Sequence, residues 1–292
     1  MTVSALPLLG APELYRLLGR YVRLVAQREE VPLTAQGRIR KTVFKSLLRD
    51  LGLGEHAITE DQAPQLLFAR LALIGLGVFE VDQHKLRVRD AERWLEQPLT
   101  RRAQSLLETW LGGAAWNELV ELPSVSVTRY RLEPEGQQRL REARQTLLTA
   151  LSAQLRAAPR QTLSLAAFVE HLRQLPFKLI TDAPRRNDAF SWRASYYAAE
   201  SRLGVSLYPI PTSLAEAWDR LEGAFALHVV SGPLRWMGLI ALSQEPRPNN
   251  LDQVQLQLTE AGRWLLLGAE APQWAETGGR IVVQPNFTVL AS

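Results

Sequence analysis

Residues 256–266 are LQLTEAGRWLL, and residues 86–95 are LRVRDAERWL. Residues 130–140, YRLEPEGQQRL, carry a third version of the same pattern. In each segment, a short run of alternating apolar and polar residues, typical of a half-buried strand, precedes a polar turn and the first turn of an amphipathic helix. Three copies of one strand-turn-helix pattern predict a chain built from repeated units.

One apolar position sets the register of all three copies. The residues that occupy it are Val88, Leu132 and Leu258. A glycine follows four positions later in two copies, as Gly136 and Gly262, whereas Glu92 stands there in the first copy. The repeat is therefore recognisable but imperfect.

The first and third copies also share the sequence that precedes them. Residues 66–81 are LLFARLALIGLGVFEV, and residues 227–242 are LHVVSGPLRWMGLIAL. Both segments predict an apolar helix that ends near a glycine, Gly75 or Gly238, and leads into a strand, because glycine readily adopts the left-handed conformation that ends a helix. A helix followed by a hairpin is the second half of a winged-helix domain, although an ordinary α+β domain with two hairpins would give the same pattern.

Helical spacing of apolar residues predicts three helices before the first hairpin, at 12–28, 42–51 and 61–74. We therefore predict a mainly α fold with small β hairpins (α+β), arranged as tandem winged-helix-like domains.

The predicted boundaries divide the chain into four parts. Residues 1–97 form the first unit, and residues 98–158 form a smaller unit with a long C-terminal helix. Residues 159–268 form a third unit with an inserted loop at 181–212, and residues 269–292 form a linker followed by strands.

Composition narrows the functional classes. The chain has 292 residues and no cysteine, which excludes disulfides, thiolate nucleophiles and cysteine-ligated metals. No apolar run reaches the roughly 20 residues that span a bilayer, and the first residues lack the charge pattern of a signal peptide, so we expect a cytoplasmic protein without a membrane partner. A net charge of +4 permits nucleic-acid binding without requiring it.

Three segments resemble bacterial helicase-associated proteins whose C-terminal part is similar to the N-terminal domain of XPB-type helicases. They are LTAQGRIRKTVFKSLLRDLG (33–52), WDRLEGAFALHVVSGPLRWMGLIAL (218–242) with LTEAGRWLLLG (258–268), and GRIVVQPNFTVLAS (279–292). The resemblance implies tandem winged helices and an association with DNA-processing or helicase machinery. It implies no helicase activity, and the XPB-like region is truncated relative to the family.

No catalytic constellation is recognisable in the sequence. It lacks a GxxxxGK[ST] phosphate-binding loop and a GxSxG nucleophile elbow. The four histidines, at positions 56, 84, 171 and 228, have no neighbour at metal-ligand spacing. We therefore predict a protein that is not an enzyme and that needs neither a cofactor nor a metal.

A basic cluster is the first candidate site. Residues 31–49 contain five positive side chains and no acidic one; these are Arg38, Arg40, Lys41, Lys45 and Arg49. Lys45 and Arg49 face away from the apolar stripe of the predicted helix, and Arg38 and Arg40 flank Ile39 in an extended piece, so that both are expected to point outward on the same side. Such a strip could bind phosphates, or it could be the solvated face of an amphipathic helix.

The segment APRRNDAFSWRASYY is the second candidate, through Arg185, Arg186, Trp192 and Arg193. Arginines interleaved with aromatic residues can clamp phosphates and stack on bases, but the same composition suits a loop anchored to the core.

The predicted third helix argues against base recognition, because it offers chiefly Gln62, Gln65 and Arg70 among apolar residues. Its apolar surface suggests packing against another unit or a partner. Two functions therefore stay open: sequence-independent DNA binding through the phosphate backbone, or a scaffold that docks a helicase, nuclease or regulatory partner.

Overall fold

The described strands are short and pair in antiparallel fashion, and helices make up most of the residues that the structure describes. A computed structural model describes residues 9–54, 57–113, 116–123, 125–127, 134–158, 162–175, 205–207, 213–247, 249–275, 281–283 and 289–291. Its sheets contain two or three strands, and every described strand pairing is antiparallel. The α+β class predicted from the sequence is therefore confirmed.

The first group of elements, the N-terminal group, comprises three helices and three strands. They are α1 (Ala11–Gln27), β1 (Val31–Pro32), α2 (Lys41–Leu51), α3 (Pro64–Gly75), β2 (Phe79–Asp82) and β3 (Lys85–Val88). The strand order is β1-β3-β2, with Val31 opposite Leu86 and Phe79 opposite Val88. The three predicted helices are confirmed to within three residues at each end, and a short 3₁₀ turn, Glu60–Gln62, precedes α3.

A connecting region follows, with α4 (Ala91–Leu95), α5 (Leu99–Leu111), a 3₁₀ turn (Glu118–Glu121) and β4 (Val125–Val127). β4 pairs with β6 (Val205–Leu207), which belongs to the predicted inserted loop. The strand of the second repeat copy, around Leu132, lies outside the described residues.

The C-terminal group repeats the element order of the N-terminal group. It contains α6 (Pro134–Ala157), β5 (Thr162–Ser164), α7 (Leu165–Gln174), α8 (Leu214–Trp218), α9 (Ala224–Val229), β7 (Ile240–Leu242), β8 (Gln255–Leu258) and α10 (Glu260–Leu267). One π-helical turn joins α8 to α9 and a second follows α9, so residues 214–236 are one helical segment, which bends at Gly232 and is called here the 214–236 helix.

The C-terminal sheet has the order β5-β8-β7, which matches β1-β3-β2 of the N-terminal sheet. Ile240 lies opposite Leu258 as Phe79 lies opposite Val88, so the register that the sequence predicted between these two copies is found in the strands. The long helix α6 packs against α7, β5 and α10 of the C-terminal group and also against α5.

The predicted C-terminal strands are present as β9 (Ile281–Val283) and β10 (Val289–Ala291), which pair with each other. Among the described residues, no helix has both the length and the apolar character that a bilayer crossing demands.

α3 and the 214–236 helix end near Gly75 and Gly238, as predicted, and a left-handed glycine follows each of them. These two helices are called here the third helices of their groups. Gly77 (φ +73°) and Gly238 (φ +69°) have positive φ, whereas Gly75 is the last residue of α3. The turn after the helix is closed three residues beyond Gly75, where the Val78 amide donates to the Leu73 carbonyl at 3.0 Å.

The two groups touch where the 214–236 helix ends. A Cβ on Gly238 would lie 2.8 Å from the Ala11 Cα, and the Tyr15 hydroxyl donates to the Met237 carbonyl at 3.0 Å. Trp274, in the segment predicted as a linker, stacks on Tyr15 with ring centroids 5.9 Å apart. The start of α1 is therefore enclosed by the C-terminal group and by the residues that follow α10.

This contact can be tested with a matched pair of substitutions. Gly77→Ala places a Cβ in open space and carries only the left-handed strain, about 1–2 kcal/mol. Gly238→Ala carries the same strain and also clashes with the Ala11 backbone, so we expect it to lower the free energy of unfolding by roughly 1–3 kcal/mol more. Urea denaturation of both variants measures the difference, and equal losses would show that the contact is absent in solution.

Candidate nucleic-acid interface

Three cationic residues follow one another along α2, and a fourth, Arg40, immediately precedes them. Arg40 is the N-cap residue, and positions 41, 45 and 49 follow at four-residue spacing, about 40° and 6 Å apart along the helix. The opposite face is buried through Phe44, Leu47, Leu48 and Leu51. We call Arg40, Lys41, Lys45 and Arg49 the basic strip. The predicted orientation of Lys45 and Arg49, away from the apolar stripe, is therefore found.

Most positive charges of the basic strip are not compensated by ion pairs with the residues that the structure describes. Arg40, Lys41 and Arg49 are exposed and Lys45 is partly exposed. In the part of the chain that the structure describes, no carboxylate forms an ion pair with Arg40, Lys41 or Lys45. Asp50, the nearest acidic residue in sequence, is paired with Arg28 of the preceding loop. The strip therefore presents at least three cations that an anionic partner could neutralise.

Arg38 is left out of this strip because its charge is compensated within the chain. Its Nε donates to the Asp61 carboxylate at 2.6 Å, in the turn before α3. The intervening Ile39 is buried and its amide donates to Glu60 at 3.0 Å, so this stretch of backbone is fixed. Arg38 instead lines a separate cleft of about 700 Å³ together with Trp116 and Glu121.

The second candidate site was predicted at Arg185, Arg186, Trp192 and Arg193. All four lie outside the described residues, so this site stays a prediction.

The third helix of the N-terminal group uses its polar side chains internally. Arg70 is 1% exposed and forms a bidentate ion pair with Glu60, at 2.6 and 2.9 Å. It also donates to the Gly37 carbonyl at 2.8 Å, while the Gln62 side chain accepts from the Ile58 and Thr59 amides. Arg70 is therefore not available to a base edge, which extends the sequence argument against base recognition by α3.

The two third helices face each other through an aromatic cluster, defined as Phe68, Trp116, His228 and Trp236. Phe68 of α3 lies 5.8 Å from Trp236 of the 214–236 helix, measured between ring centroids. Trp116 contacts both at 5.6 Å and stacks on His228 at 6.3 Å. The apolar surface that the sequence predicted on the third helix is thus covered by another part of the same chain.

A buried ion pair holds Trp116 in this position. Arg144 of α6 and Glu118 are both fully buried and joined at 2.7 and 3.0 Å. Arg144 also donates to the Trp116 carbonyl at 2.6 Å, and the Trp110 indole donates to Glu118 at 2.7 Å. The sequence offered no sign of this network, because Glu118 and Arg144 are 26 residues apart.

His228 is the titratable member of the aromatic cluster. Burial lowers its pKa to about 4, although the negative charge of Glu118 opposes this effect. Among the described residues, no group accepts from or donates to its Nε2. A neutral imidazole is therefore part of the contact between the two third helices.

This shift predicts a pH dependence of stability. The imidazole is protonated more readily in the unfolded chain, with a pKa near 6.5, than in the folded one, so its contribution is present above pH 6.5 and is lost as the pH falls toward 4. We expect the difference in unfolding free energy between wild type and His228→Gln to shrink by up to about 3 kcal/mol between pH 7 and pH 4. Urea denaturation across that range measures it. A constant difference would contradict the burial of His228.

Comparison with known proteins identifies no relative. No family model matches the chain, and no curated protein or solved structure is significantly similar to it. The resemblance to helicase-associated proteins therefore stays a prediction from the sequence.

Proposed function

We propose that this protein is a non-enzymatic nucleic-acid-binding module that contacts the phosphate backbone of DNA through the basic strip. The observation that carries the proposal is that Arg40 and Lys41 are exposed, Lys45 is partly exposed, and no described carboxylate pairs with any of the three. Closely spaced cations on a helix suit consecutive phosphates, because neutralising them releases condensed counterions.

We further propose that both groups are winged-helix units. The element order α1–β1–α2–α3–β2–β3 and the strand order β1-β3-β2 fit this interpretation, and α6–β5–α7, the 214–236 helix and β7–β8 repeat it. In this interpretation α6 is the first helix of the second unit rather than the last helix of a separate one.

The expected binding does not depend on sequence. In DNA-reading winged helices the third helix delivers polar side chains to base edges. The burial of Arg70 and the packing of α3 against the 214–236 helix support contacts to phosphates instead. The resemblance in sequence supports an association with a helicase or another DNA-processing protein in the cytoplasm.

A protein-protein interaction scaffold is the second candidate. The packing of α3 against the 214–236 helix also favours it, because a fold whose third helices do not recognise bases can instead dock a helicase, nuclease or regulatory partner. The two candidates differ in salt-sensitive affinity for DNA.

Charge reversal of the strip distinguishes them. We expect wild type to bind duplex DNA with a logarithmic salt slope of about −3 to −4, as four phosphate contacts predict. The variant Arg40→Glu/Lys41→Glu/Lys45→Glu should bind roughly a hundredfold more weakly at low salt. Its logarithmic salt slope should be about −1 or closer to zero. Fluorescence anisotropy with duplex and single-stranded DNA at several salt concentrations measures both quantities.

The matched control is Arg89→Glu/Arg93→Glu/Arg101→Glu, which alters three exposed arginines around α4. Both triple variants replace three positive charges by three negative ones and take the net charge from +4 to −2. The control should lose about threefold in affinity or less. Equal losses would show that net charge, and not the strip, drives binding, and a wild type without DNA affinity would favour the scaffold.

A further inference from the structure

A second cleft, with mostly apolar walls, lies in the connecting region and the C-terminal group. It has a volume of about 510 Å³, within the range of small-molecule sites. Leu122 and Pro123 form one wall, Leu227 of α9 another, and Leu251 of the loop between β7 and β8 a third. We call it the apolar cleft, and none of the basic strip lines it.

One carboxylate in this cleft lacks a partner. Glu121 is half-buried and lines both the apolar cleft and the neighbouring cleft that Arg38 and Trp116 line. No hydrogen bond or ion pair joins its side chain to any residue that the structure describes. Burial raises the pKa of the Glu121 carboxyl, and the negative charge of Asp61 adds to this, whereas the positive charge of Arg38 opposes it. Arg38 is itself committed to Asp61, so it does not neutralise Glu121.

The charges of the other polar groups around the cleft are paired, solvated or absent. Glu245 is paired with Arg235 at 2.6 Å. Arg247 is exposed at the rim, where water solvates its guanidinium. His228 forms part of the wall and its low pKa keeps it neutral near pH 7. A partly desolvated carboxylate beside apolar side chains is therefore the group whose charge is least well compensated, and a positive ligand group would compensate it.

We propose that the apolar cleft binds an amphipathic cation, a small molecule with an apolar body and an ammonium or guanidinium group. The body contacts Leu122, Leu227 and Leu251, and the cationic group pairs with the carboxylate of Glu121. This site is separate from the proposed DNA interface, and it does not depend on that function.

The test compares three eight-carbon probes on the full chain at pH 7: octylamine, octanol and octanoate. They share an apolar body and differ in the charge of the head group. We expect octylamine to bind about tenfold more tightly than octanol, and octanoate to bind more weakly than octanol. Isothermal titration calorimetry measures the affinities. Chemical-shift changes of leucine methyl groups in NMR spectra, including those of Leu227, locate the site.

Two glutamate variants assign the head-group contact. Glu121→Gln should reduce the affinity for octylamine to that for octanol, whereas Glu245→Gln, at a carboxylate already paired with Arg235, should keep the tenfold preference. Octanoate binding as tightly as octylamine, equal binding of all three probes, or binding of none would each overturn the proposal on wild type alone. Shifts that avoid the methyl groups of Leu122, Leu227 and Leu251 would overturn the location.

Discussion

The packing of the N-terminal group against the C-terminal group through Trp116 depends on the buried ion pair between Arg144 and Glu118. Isolated charges in a protein interior cost several kcal/mol each, so such a pair persists only where geometry and additional hydrogen bonds satisfy both partners. Here the additional partners are the Trp110 indole and the Trp116 carbonyl. The charges therefore fix the backbone of Trp116, and Trp116 fills the space between α3 and the 214–236 helix.

A second buried pair, Glu60 with Arg70, orients the surface that we assign to DNA. Glu60 accepts from the Ile39 amide, and Arg70 donates to the Gly37 carbonyl. These two bonds hold the turn that leads into α2, and hence the direction in which the basic strip faces. Arg70, which lies where a base-reading helix would present a side chain to DNA, is buried and instead fixes the turn before the helix that carries the basic strip.

Local patterns in the sequence were sufficient for the helices and for the hairpin register, because both follow from apolar spacing. The end of α3 near Gly75 follows from the sequence, but the left-handed residue is Gly77, and only the hydrogen bond from the Val78 amide to the Leu73 carbonyl selects it. The orientation of Arg38 could not be predicted, since it depends on Asp61, 23 residues away. The pairing of β4 with β6 and the placement of Trp116 likewise rest on contacts between distant residues, which periodicity does not encode.

Gly262 and Glu92 occupy the same position in the two copies of the hairpin-to-helix repeat but face opposite demands. A Cβ on Gly262 would approach the Leu239 carbonyl oxygen to 1.9 Å, whereas Glu92 is exposed. We therefore expect position 262 to accept glycine alone, whereas position 92 should accept many side chains. The difference in tolerance to substitution between positions 92 and 262 would therefore reveal that the helix after the hairpin packs directly onto its own hairpin in the C-terminal group.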